Sequence, residues 1–178
     1  MMGMVFTELM EMVETKFSFD LADRVLARSG QSGTWTAVGN YDDAELVAIV
    51  TALSEETNLP VSDLLYAYGR HLHGRFMAMY PGFFHGHADA FAFLLGLESR
   101  IHTEVRKLWP DARPPLFEPV VTAQGMDLRY SSRRGLARLA RGLLDASFDF
   151  HGPAVVIEEI DLSDGAGTQV MFRVLRAA

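Results

Sequence analysis

The chain contains no cysteine. That excludes disulfides, thiolate-bound zinc, iron–sulfur clusters and thiolate-ligated haem together. No apolar run approaches the roughly 18 residues that a membrane-spanning helix needs. The opening MMGMVFTELMEMVE carries acidic residues in an amphipathic pattern and lacks the basic flank of a signal peptide. Positive charge is not in excess: 16 Lys and Arg stand against 23 Asp and Glu, for a net charge of −7. Such a surface repels phosphate backbones, so nucleic acid is not an expected partner. A glycine-rich phosphate loop, a nucleophile elbow and paired catalytic carboxylates are all missing, and nothing points to an enzyme. There is no internal repeat, low-complexity tract or linker. What remains is a globular chain of 178 residues, 49% apolar and 22% charged, long enough for one domain with a sizeable core and expected in the cytoplasm.

The charge is uneven. Residues 1–99 hold 5 basic and 13 acidic side chains, and residues 100–178 hold 11 and 10, so the second half suits an anionic ligand better than the first. The chemistry-bearing residues also lie there. In HADAFAFLLGLESRIHTEVRKLW, helical spacing puts His102 on one face with Phe91, Leu95, Val105 and Trp109, a single imidazole on an apolar wall. In MDLRYSSRRG, Tyr130, Ser132 and Arg134 are spaced by two; strand geometry would point all three one way, roughly 6–7 Å apart. A phenol, a hydroxyl and a guanidinium in a row suit carboxylates. An axial nitrogen on an apolar surface, with carboxylate donors nearby, is what a haem requires. Separately, either feature has a plainer reading, as a core histidine and as the solvated face of a strand.

Taken in order, the chain is helical first. Apolar spacing predicts helices over residues 2–17, from Ser18 to about Arg28, after Asp42 or Asp43, from Pro60 to Pro81, and over the His102 stretch until Pro110. Extended segments follow at 116–123 and 126–132, then a helix at 135–149 and a hairpin of 154–161 with 168–175 around Asp164-Gly165. The fold class is α+β: one domain, 1–178, with a helical subdomain at about 1–60. The second subdomain, about 61–178, holds the His102 helix and an antiparallel sheet. His71 and His73 diverge by roughly 200° on a helix and cannot share an ion. His85 and His87, at a joint, leave a metal site with one carboxylate open.

His102, Pro115 thirteen positions later and the Tyr130-x-Ser132-x-Arg134 motif resemble the haem nitric oxide/oxygen binding (H-NOX) domains of bacteria, which are related to the haem domain of soluble guanylate cyclase. Met1-x-Gly3 and the run from Tyr68 to Phe84 fit as well, and the resemblance spans almost the whole chain. It implies haem b ligated by His102, propionates held by Tyr130, Ser132 and Arg134, and a macrocycle distorted by Pro115. It also implies a distal pocket walled by Val5, Leu9, Leu72, Phe76 and Leu139. The implied role is a cytoplasmic sensor of nitric oxide, which also binds carbon monoxide and signals to a separate histidine kinase or cyclic-di-GMP enzyme. Members that bind oxygen carry a distal tyrosine nine residues beyond the motif's own; Leu139 stands there. A haem store or electron-transfer protein, and a haem-free adapter of the same fold, are the alternatives.

Overall fold

In a computed structural model that describes residues 1–177, the chain forms eight α-helices, a π-helical turn and one four-stranded sheet. Four helices come first: α1 (Gly3–Lys16), α2 (Phe19–Ser29), α3 (Asp43–Thr57) and α4 (Val61–Met79). Their ends follow from local chemistry. Ser18 caps α2 by accepting from the Leu21 N–H at 3.1 Å, and Gly30, at φ +69°, closes it. Asp42 caps α3 through the Ala44 N–H at 3.0 Å. Pro81 ends α4 and opens the short α5 (Pro81–Phe84).

The His102 stretch departs from expectation. It is not one helix but α6 (Ala90–Leu95), a π-helical turn (Leu97–His102) and α7 (Thr103–Leu108). A π-turn bonds i to i+5 and slips the helical face out of register. Phe91 therefore packs edge-on against Phe148 with ring centroids 4.9 Å apart, and Leu95 is 48% exposed. Neither joins His102 on the face it presents.

The α+β expectation is borne out. β1 (Leu116–Thr122), β2 (Gly125–Ser131), β3 (Val155–Asp161) and β4 (Gln169–Arg176) form one antiparallel sheet in the order β1-β2-β4-β3, and α8 (Ala137–His151) is inserted between β2 and β3. Register puts Phe117, Tyr130 and Val170 in one row, and Pro119, Leu128 and Phe172 in the next. These rows carry the apolar face, which packs with α6 and α8 into one core. A second core joins α1 to α4 around Phe6, Leu9, Ile49, Leu53 and Tyr68.

The two cores meet where α4 crosses α8. A Cβ added at Gly69 would stand 2.1 Å from the Leu139 carbonyl oxygen, and one at Gly142 would stand 2.1 Å from that of Tyr66. Only glycine lets the two backbones come this close. Polar ties flank the crossing: Tyr66 donates to Asp145 at 2.8 Å, and Arg70 pairs with Asp149 at 2.6 Å.

His71 and His73 do face apart. His71 Nε2 lies 3.8 Å from Glu8 on α1, whereas His73 meets Phe84 edge-on at 5.4 Å. Burial pushes the His73 imidazole down to about 4, with smaller contributions from His151 and Arg70. Because its folded value lies below its unfolded one, stability is complete above about pH 6.5. It declines as the pH falls toward 4, where only the unfolded chain takes up the proton. Urea unfolding at pH 5 should thus show a loss of about 2 kcal/mol relative to pH 7 that a His73→Gln variant does not share. Equal losses in the two proteins would remove His73 as the cause.

Candidate cofactor site

Between the two cores lies a cavity walled almost wholly by apolar side chains. α1 contributes Val5, α4 Leu72 and Phe76, and α8 Leu139 and Leu143. Opposite them, the π-turn and α7 supply Leu97, Ile101, His102 and Val105, followed by Trp109, Pro114 and Pro115. Phe117, Tyr130, Ser132 and Arg134 complete it from the sheet side. Of the ten residues singled out by sequence, nine line this cavity. Leu9 does not: it is 1% exposed and packs within the core of the first four helices. One turn of α1 separates it from Val5, so the helix dips from the cavity wall into that core.

His102 is oriented by a residue that sequence reading passed over. Its Nδ1 lies 2.6 Å from Glu98 Oε1, and the same oxygen accepts the Phe117 N–H at 3.0 Å. The second Glu98 oxygen accepts from Arg106 at 3.2 Å. Burial lowers the His102 pKa, outweighing the opposing pull of Glu98. The ring is therefore neutral, with its proton on Nδ1 toward the carboxylate and the Nε2 lone pair left to the cavity. That is the form a metal-ligating histidine takes when a carboxylate fixes its tautomer. A carboxylate four residues before the histidine, one helical turn away, was the available signal.

Tyr130, Ser132 and Arg134 gather at the cavity, but not as a strand row. β2 ends at Ser131, and the chain turns through Ser132 and Arg134 toward α8. Tyr130 is 1% exposed. Burial pushes its phenol above the ordinary value, against smaller opposing effects of Ser132, the Leu136 main chain and Arg134. Arg134 is already engaged: Nε stands 2.8 Å from Asp43 Oδ2, and Nη1 donates to the Arg113 carbonyl at 2.7 Å. The Asp43 contact is close but misaligned, so Nε, though buried, has no hydrogen-bond partner among the described residues. Burial alone would raise the Asp43 pKa; Arg134 and the N-terminal ammonium together bring it below the usual carboxylate range.

Among the described residues no Asp or Glu lines the cavity, whereas two arginines do, Arg113 and Arg134. An apolar body, the lone-pair nitrogen of His102 on one wall and a cationic, hydrogen-donating rim match a haem with its two carboxylates. A buried guanidinium nitrogen without an aligned acceptor fits the same group. No three His, Asp or Glu side chains among the described residues stand close enough to hold a metal ion, so His85 and His87 form no such site.

Comparison with known proteins agrees with this chemistry. A sequence model of the haem-NO-binding family matches residues 2–159. The H-NOX protein of K. algicida, solved in its Fe(II) unliganded state, is 30% identical over 100% of this chain and 97% of its own, with a TM-score of 0.93. The H-NOX protein of Shewanella woodyi, in its Fe(II)CO ligation state, is 34% identical over 99% of this chain and 95% of its own, at 0.84. The fold is shared at 23% identity with the S. oneidensis H-NOX protein in its Fe(II)NO ligation state, which covers 99% of this chain and 100% of its own at 0.88. No curated protein matches. The chain belongs to the haem-NO-binding family, and its cofactor is haem.

Proposed function

We propose that this protein senses nitric oxide at a ferrous haem held by His102, and passes the signal to a separate effector protein. The observation that carries the reading is the His102 imidazole in the apolar cavity, held through Nδ1 by Glu98 at 2.6 Å. Haem, when bound, would supply an iron that His102 would ligate and that could bind a diatomic gas. The residues about His102 suit such a link. Neither the π-turn nor α7 contains a fully buried residue. Glu98 and the half-buried Leu97 and Ile101, which pack against the sheet core, tie this segment to the fold; with no residue fully buried it is a low-stability element of the kind that moves in switching. Glu98 hands any displacement of His102 to β1 through the Phe117 N–H. Pro114 and Pro115 line the cavity just before β1 and stiffen that edge. The assignment of Pro115 as the group that bends the macrocycle belongs to this proposal.

An electron-transfer role asks for a second axial ligand. Met4 and His73 line the cavity, but the Met4 sulfur already accepts from Tyr80 at 3.8 Å, and His73 sits edge-on against Phe84. The sensor reading is favoured. Its effector, a histidine kinase or a cyclic-di-GMP enzyme, and the absence of catalysis in this chain follow from the family likeness.

The distal walls also bear on the choice of gas. A polarised diatomic such as oxygen needs a hydrogen-bond donor, which nitric oxide and carbon monoxide do without. Leu72, Phe76, Leu139 and Leu143 donate nothing. Of the polar groups that reach the wall, Ser147 donates to the Leu143 carbonyl at 2.8 Å and Tyr80 donates to Met4, while His73 stands edge-on against Phe84.

Two outcomes are expected. His102→Ala protein should purify without stoichiometric haem and regain a haem spectrum only when imidazole is added; an unaided normal spectrum would make His102 a core histidine. The visible spectrum of reduced wild-type protein should shift with nitric oxide and with carbon monoxide. In air it should persist or oxidise slowly, and a stable new ferrous spectrum there would mean that a wall group such as His73 donates to bound oxygen.

A further inference from the structure

We infer that Arg113 supplies the cation for the second haem carboxylate, a binding role outside the Tyr130-Ser132-Arg134 motif; this rests on the haem reading above. Haem brings two carboxylates to the rim of the cavity. Arg134 cannot balance both, because its charge is already matched by Asp43 at 2.8 Å and its Nη1 is spent on a main-chain carbonyl at 2.7 Å. The Arg134–Asp43 pair is neutral overall and offers donors rather than net charge. A dianion entering against it alone would meet hydrogen bonds without a compensating cation, a costly arrangement where water is partly excluded.

Arg113 is the other arginine that lines the cavity. Its side chain is exposed, and among the described residues it has no ion-pair or hydrogen-bond partner. Its main chain is nonetheless fixed. The carbonyl that accepts from Arg134 is its own, and Pro114 and Pro115 follow directly, which restricts Arg113 to extended backbone. The residue that bears an uncompensated guanidinium is therefore anchored by its main chain next to the compensated one. Arg133 offers no substitute, being 78% exposed, 3.9 Å from Asp43 and off the cavity wall. A guanidinium can grip a carboxylate with two parallel hydrogen bonds, which a lysine cannot reproduce.

The test compares haem with haem dimethyl ester, whose carboxylates are masked. Wild-type, Arg113→Ala and Arg113→Lys proteins are loaded with each, and release into excess apomyoglobin is followed by absorbance. Arg113→Ala should release haem about tenfold faster than wild type, with Arg113→Lys between them. All three should release the ester at one common rate. Equal release of haem from wild type and Arg113→Ala overturns the inference. So does an equal acceleration for haem and ester, which would mark a packing role. Wild-type protein that takes up no haem would instead overturn the haem reading, and the inference with it. Because the Arg113 side chain makes no hydrogen bond or ion pair among the described residues, neither substitution removes one.

Discussion

The contact between Glu98 and His102 is the constraint on which the site depends. At 2.6 Å the carboxylate fixes which imidazole nitrogen carries the proton and so which is left to bind a metal. The contact exists because Glu98 stands four residues before His102, one helical turn away, and it reaches the sheet because the same carboxylate oxygen accepts the Phe117 N–H. Removing the carboxylate would free the ring, the turn and the edge of β1 at once. Arg106 holds the other oxygen at 3.2 Å and keeps the carboxylate in place.

The opposite wall is held by a different device. Gly69 and Gly142 bring α4 and α8 into backbone contact, so Leu72 and Phe76 on one helix and Leu139 and Leu143 on the other form a single surface. The cavity thus lies between a rigid crossing and a loosely packed π-turn. Asp43 on α3 reaches across to Arg134 beyond β2, which ties the helical core to the rim of the site. A ligand that drew Arg134 toward its own carboxylates would compete with Asp43 for the same guanidinium. The rim can in that way report occupancy to α3.

Much of this was legible in the sequence because the signals were local. The early helices follow from apolar spacing with caps at Ser18 and Asp42, and the strands from alternation broken at Gly125 and Asp164-Gly165. Nine of ten candidate residues line one cavity because His102, Pro115 and the Tyr130 motif fall close together along the chain. Three things were not legible. A π-turn has no signature in residue spacing, so Phe91 and Leu95 were placed on the His102 face and are not there. Arg134 lies past the strand end, where period two no longer applies. Its pairing with Asp43 spans the two halves of the chain, and no local pattern encodes a contact of that range.

The central claim is that the Nε2 of His102, set by Glu98, is the axial nitrogen of a haem in this cavity. Resonance Raman spectroscopy of the reduced, gas-free protein tests it most directly. The account predicts a five-coordinate spectrum with an iron–imidazole stretching band. That band should shift when histidine is labelled with ¹⁵N, and it should move again in Glu98→Gln, where the ring loses its charged partner. A six-coordinate spectrum, or a band indifferent to both changes, would contradict it.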